Sequence, residues 1–360
     1  MLEEGSKKVK RFAIIGDYDR GHRYIKSHSI LRLLPIKWAE NMIAKTKVRI
    51  TDTIYDNNEK ELGYIIDVPG FFIHGDKLID LDQRRIMINL VHVLEKNHIQ
   101  TLVFPLWRKF ISPEEKSYLE DNSIVLLDGS WIRLVSLVDV VERLLGILKS
   151  KLVQMEIGIW GADNSIGQLW AEVLAPFLNY LVIGGNDIKA LERLSNKILY
   201  ETGLSCQITT DPDPCLANKH MIILSSTPDG WYNFNGNRII IFSCSLSHEY
   251  FIIQETIQEK AFSGILIESG WPSLNQVLNS SNTLKPWDKI GILEANLFIK
   301  DKSYQDVLMN YPLNKMSIKK IKEILRTHGI NCKAIVSNNK ILTYDGFRKV
   351  YFRNCLDNRI

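Results

Sequence analysis

The chain has 360 residues, 45% hydrophobic and 24% charged, which is ordinary globular composition with length enough for two cores. Its 45 basic and 41 acidic residues leave a net charge of +4, too small an excess to argue for nucleic acid or a membrane surface as partner. The cluster Lys7, Lys8, Lys10 and Arg11 reads as a solvated tail, and the apolar run Phe12 to Ile15 is too short for a signal-peptide core. No segment approaches the roughly 20 apolar residues of a membrane span. The five cysteines show no C-x-x-C spacing and read as reduced thiols, so a cytoplasmic protein is expected.

Taken in chain order, short apolar runs alternate with helical stretches. "RFAIIGD" (11–17) is expected to be a strand, and 29–46 a helix broken at Pro35. Residues 47–56 and 61–70 form two strands around Asn57-Asn58. The spacing of Ile86, Ile88, Leu90, Val91 and Leu94 predicts a helix over 82–99. Strands are expected at 101–106 and 123–129, then a long helix at 134–152. Beyond it the alternation becomes regular, with strands at 155–160, 180–186, 205–211, 220–228, 237–245 and 264–270. Runs this apolar are buried on both faces, as in a parallel sheet. The tail carries a helix over 316–329, with Ser317 as expected N-cap and Gly329 past its end. The fold expected is α/β. An N-terminal α/β substrate-type domain spans 9–150 and a Rossmann-type parallel-sheet domain 153–280. A C-terminal helical segment, 281–360, packs back across the cleft.

The turn after the 155–160 strand is "GADNSIG", Gly161 to Gly167. In a dinucleotide fold the first glycine makes the sharp turn, the middle one admits the pyrophosphate, and the last lets helix and sheet touch. Gly161 and Gly167 can fill the outer roles. Asn164 stands at the middle position, where its side chain takes space that glycine would leave for phosphate. Asp163 adds a negative charge at the entrance. The strand at 180–186 ends in Gly185 and Asn186; Asn186 could bond a ribose hydroxyl, but no carboxylate or arginine is in place to specify NAD or NADP, and Asp187 reads as a helix N-cap. The residues expected around a cofactor are Gly161, Asp163, Asn164, Ser165, Ile166, Gly167, Gly185, Asn186, Ser225 and Ser226. Two readings stand: the turn holds NAD(P), or 155–270 is a nucleotide fold kept as scaffold.

These residues resemble the Rossmann domain of the long-chain acyl-[acyl-carrier-protein] reductases and the related shikimate-dehydrogenase-like dehydrogenases. The phosphate loop there has the form V-G-A-T-G-x-I-G, matched at Gly161, Ala162, Ile166 and Gly167. "IILSSTPDG" resembles the family's Ala-Ser-Met-Pro strand end at Ser226 and Pro228, and "GILEANLF" keeps Glu294 and Ala295 of an Ala-Glu-Ala helix. "MSIKKIKEILRTHGI" is similar to the family's C-terminal helix, and the resemblance runs over about residues 11–335. It implies NADP-linked reduction of a thioester through a cysteine after the last Rossmann strands. Yet there is no cysteine between Cys244 and Cys332, and the arginine after the second strand is Gly185. The family's Gly-Asn, Gly-Gly-Phe-Thr-like and Asp-Gly-Gly elements appear as Gly129-Ser130, "FPLWRKF" and "IFSCSLS". The expected function is therefore an NAD(P)-dependent oxidoreductase with a rebuilt site, or a catalytically silent relative that binds or regulates.

No catalytic residue is assigned. Cys244 with His248 and Glu249 is a Cys–His spacing, but a cysteine closing an apolar strand is more often core. Cys215 reads as a loop or first-turn residue. His22, His28, Asp17 and Asp19 read as solvated, so no metal is expected, and Lys77 and Asp80 read as surface charge. Trp107, Phe110 and Trp131, with Arg108 and Lys109, read as core packing or as the lining of an inter-domain pocket for a small or acyl ligand. The sequence leaves the oligomeric state open.

Overall fold

The structure is a computed structural model and describes residues 11–15, 33–35, 38, 47–56, 58–68, 80–105, 107, 111–148, 152–228, 240–243, 265–273, 284–337 and 340–356. The strands are β1 (Arg11–Ile15), β2 (Arg49–Tyr55), β3 (Glu61–Asp67), β4 (Ile99–Val103), β5 (Val125–Leu127), β6 (Ile157–Trp160) and β7 (Leu181–Gly184). They continue with β8 (Gln207–Thr209), β9 (Met221–Leu224), β10 (Ile240–Ser243), β11 (Ile265–Ile267), β12 (Ser269–Pro272), β13 (Cys332–Ser337) and β14 (Lys340–Thr343). The helices are α1 (Asp80–Lys96), α2 (Pro113–Asp121), α3 (Ser130–Leu148), α4 (Ser165–Leu174) and α5 (Ile188–Thr202). After them come α6 (Pro212–Leu216), α7 (Pro286–Lys300), α8 (Lys302–Asn310), α9 (Lys315–Thr327) and α10 (Tyr344–Leu356). The helix expected over 29–46 lies almost wholly outside the described residues.

The chain forms two compact units, one of residues 1–129 with 274–302 and the other of 130–273 with 303–360. In the first, the sheet order is β2-β3-β1-β4-β5. Four strands are parallel, and β2 returns antiparallel to β3. Phe12 to Ile15 of β1 are fully covered, as a strand central in a sheet requires. Helix α7 belongs here rather than to a C-terminal layer of its own. Its Gly291 comes so close to β4 that a Cβ would meet Val103 Cγ1 at 2.6 Å. The buried Glu294 carboxylate accepts the Gly129 amide at 2.6 Å.

In the second unit six parallel strands run in the order β11-β10-β9-β6-β7-β8. Strands leave β6 in both directions, which is the doubly wound Rossmann arrangement. Trp160, Val182, Cys215, Leu216, Ile222, Leu224 and Leu266 form a core cluster. Helix α3 also belongs to this unit, so the expected break at 150–153 does not coincide with the edge of a unit. Its Ser136 hydroxyl lies 3.2 Å from that of Ser269, and a Cβ on Gly270 would meet the Ser136 carbonyl at 2.7 Å.

The run 264–270 was expected to be one strand. It divides at Glu268 into β11, in the parallel sheet, and β12, which pairs antiparallel with β13. The 281–360 segment, expected to be helical, contains the hairpin β13–β14 as well. The cap of α9 also differs from expectation. Asn314 is the N-cap, accepting the Met316 and Ser317 amides, and Ser317 closes a capping box from the third helical position by accepting the Asn314 amide. Asn314, three positions before Ser317, is the last residue outside the helix, and from there its side chain reaches both free amides.

Candidate functional site

The carboxyl ends of β6 and β9 meet where the strand order turns, the place where open α/β sheets take ligands. The chain leaves β6 at Gly161, whose φ of +80° is open to glycine without strain. A Cβ there would lie 2.4 Å from Ser226 Oγ and 2.6 Å from Ser225 Oγ. Gly167 sits on the turn it helped make, since a Cβ would lie 2.3 Å from the Gly161 carbonyl oxygen and 2.7 Å from Ala162 Cα. Both glycines do what the sequence expects of them.

Asn164 does not take a positive φ. It is extended, at φ −97° and ψ 165°, and is the N-cap of α4. Its Oδ1 accepts the Ile166 and Gly167 amides, both at 3.0 Å. Its Nδ2 donates to the Ser225 carbonyl and hydroxyl oxygens, both at 3.2 Å. Ser225 is buried and its hydroxyl donates back to the Gly161 carbonyl at 2.8 Å. The Asn164 amide thus bridges the start of α4 to the end of β9, across the crevice between β6 and β9.

Asp163 is held equally firmly. Its Oδ2 accepts the amides of Asn186 at 2.7 Å and Asp187 at 3.0 Å. The carboxyl group fills the space that Gly185 leaves, for a Cβ on Gly185 would lie 2.5 Å from Asp163 Cγ. Asp187 is the N-cap of α5, as expected, accepting the Lys189 and Ala190 amides. Asn186 is exposed, and Ser165 is exposed at the first position of α4. The structure therefore gathers Gly161, Asp163, Asn164, Ile166, Gly167, Gly185, Asn186 and Ser225 into one network, with Ser226 against Gly161.

A dinucleotide needs the amides at the helix start for its pyrophosphate and a reader at the end of the second strand for its ribose. Here the Ile166 and Gly167 amides hold Asn164 Oδ1, and the Asp163 carboxylate covers the end of β7. As the turn stands, the chain's own side chains occupy both sets of groups. The sequence marked Asp163 and Asn164 as obstacles but did not show what they bond. The signal available was the asparagine at an N-cap position ahead of an apolar helix.

Cys215 lies in α6 and is fully buried, donating weakly to the Val182 carbonyl at 3.9 Å. Burial pushes its thiol up to about 12 and those of Cys206 and Cys332 to about 11, so all three stay protonated near neutral pH. Trp107 donates to Asp128 at 3.2 Å. The Cys244–His248–Glu249 set, His22, His28, Asp17, Asp19, Lys77, Arg108, Lys109 and Phe110 lie outside the described residues, as does the side chain of Asp80. Among the described residues no group of three or more His, Cys, Asp or Glu is placed to hold a metal, and no helix is long and apolar enough to cross a membrane.

No family model matches the chain, and no curated protein does. Among solved structures it is similar to L-tryptophan dehydrogenase from Nostoc punctiforme, at 10% identity over 97% of this chain and 88% of that one, with a TM-score of 0.38. It is also similar to shikimate 5-dehydrogenase from Listeria monocytogenes, at 11% identity over 90% and 99%, with a TM-score of 0.29. A third is 5-ketofructose reductase of Gluconobacter sp. strain CHM43, at 9% identity over 51% and 62%, with a TM-score of 0.25. At these scores the likenesses add nothing to what the strand order already shows, and function rests on the chain's own residues.

Proposed function

We propose that this chain is a Rossmann-fold relative of the NAD(P)-dependent oxidoreductases that has left redox chemistry and serves as a binding or regulatory protein. The observation that carries this is the Asn164 amide, whose oxygen and nitrogen are both engaged within the chain, each by two hydrogen bonds. Displacing it exposes two amides at the start of α4 and two acceptors on Ser225 before any ligand bond forms. An unmade buried bond costs about 1–3 kcal/mol. A pyrophosphate must also approach the Asp163 carboxylate. The buried thiols support the same reading, since Cys206, Cys215 and Cys332 are core groups. The finer relationship, descent from a thioester reductase of the acyl-carrier-protein type, is supported by Gly161, Ala162, Ile166 and Gly167 in the loop and by Glu294 and Ala295 in α7. The test is a titration of the whole chain with NADH and NADPH, followed by quenching of protein fluorescence. Silence at millimolar cofactor is expected; saturable binding in the micromolar range, with hydride transfer to a keto or acyl substrate, overturns the proposal.

A further inference from the structure

The geometry points to Asp163 and Asn164 as an internal ligand of the turn, two adjacent side chains that keep a dinucleotide out of the unit. This rests on the reading above that the chain as it stands takes none. Two pairs of backbone amides converge here, and each pair meets a single oxygen. Ile166 and Gly167 meet Asn164 Oδ1, and Asn186 and Asp187 meet Asp163 Oδ2. The first pair stands where pyrophosphate oxygens bind and the second at the ribose end of the same crevice. The occupants come from neighbouring positions in the chain, so one short stretch fills both anchor points.

The scaffold beneath them still has the shape that a dinucleotide needs. Gly161 keeps its positive φ against Ser225 and Ser226, and Gly167 keeps helix and strand in contact with no room for a Cβ. Gly185 is buried and leaves open the volume that the Asp163 carboxyl fills. Sheet order is that of a doubly wound unit, with β6 between β7 and β9. What stands in the path of the cofactor of this fold is thus two side chains and not the backbone. Removing them returns four amides and one pocket to a phosphate-bearing ligand and takes a negative charge from the entrance.

The experiment compares the whole wild-type chain with Asp163→Ser, Asn164→Gly and the double variant. Each is titrated with NADH and NADPH by ligand fluorescence and calorimetry, and its fold is checked by circular dichroism. Asp163→Ser combined with Asn164→Ser is made alongside, because serine keeps an N-cap on α4 should glycine unfold the unit. The double variants are expected to bind at least one cofactor saturably, about tenfold or more tighter than any wild-type response, with the single variants between. Folded double variants as silent as wild type overturn this inference and leave the proposed function standing. Wild-type binding as tight as that of the variants overturns the proposed function and this inference with it.

Discussion

Replacing Asn164 by alanine should loosen the start of α4 by a calculable amount. The substitution removes the acceptor of the Ile166 and Gly167 amides and the donor to Ser225. Losing an N-cap costs about 1 kcal/mol, within a range of about 0.5–2. The two Nδ2 bonds, long at 3.2 Å, add about 1 kcal/mol between them. The sum is about 2 kcal/mol, or about thirtyfold in a local opening equilibrium. Native-state hydrogen exchange at the Ile166 and Gly167 amides reads that opening directly. Asn164→Asp separates the two contributions. A carboxylate still accepts both amides and gains about 0.3–1 kcal/mol at the helix start, but cannot donate to Ser225 and stands beside Asp163. It should open the helix less than alanine does while freeing Ser225. The reasoning is refuted if both amides exchange in Asn164→Ala within about twofold of wild type, a difference of only a few tenths of a kcal/mol.

Gly167→Ala should destabilise the second unit by about 1–2 kcal/mol in urea, since overpacking against Gly161 and Ala162 outweighs the roughly 0.5–1 kcal/mol that alanine gains within a helix; equal or greater stability would contradict the close approach. Lys322 sits between Asp139 at 2.7 Å and Glu142 at 3.0 Å, and these partners hold its pKa above the usual value against the opposing effect of burial. Lys322→Met should cost about 1–2 kcal/mol, between an exposed and a buried pair, and an unchanged urea midpoint would show that the pair is only superficial. Cys215, at about 12 in the folded chain and near 9 unfolded, stabilises the fold fully below pH 9. The unfolded thiol then ionises first, so stability falls as pH rises from 9 toward 12. Iodoacetamide at pH 8 should leave Cys215 and Cys332 unlabelled in native protein and label both in urea; native labelling of either would refute their burial.

The parallel sheet was legible because β6, β7 and β9 are apolar on both faces, and only a strand covered on both sides reads that way. Gly161 and Gly167 were legible because close backbone approaches leave no room for any other residue. The grouping into units was not, because α3 is apolar over most of its length and could pack on either side of a boundary. Its place follows from Ser136 against Ser269 and from Asp139 against Lys322, contacts far apart in sequence. The β13–β14 hairpin was missed beside the strong helical period of α9. At the site, sequence identified Asp163 and Asn164 as foreign to a dinucleotide turn. It could not show that each side chain bonds the amides a ligand would use, since those bonds depend on how Gly185 and Ser225 are brought to the same crevice.

The most direct measurement is a crystal structure of the whole chain grown or soaked with saturating NADH. The account predicts Asn164 still bonded to the Ile166 and Gly167 amides and to Ser225, Asp163 still on the Asn186 and Asp187 amides, and no dinucleotide over the Gly161–Gly167 turn. A dinucleotide seated there, with its pyrophosphate on the start of α4 and the Asn164 side chain swung away, would contradict it.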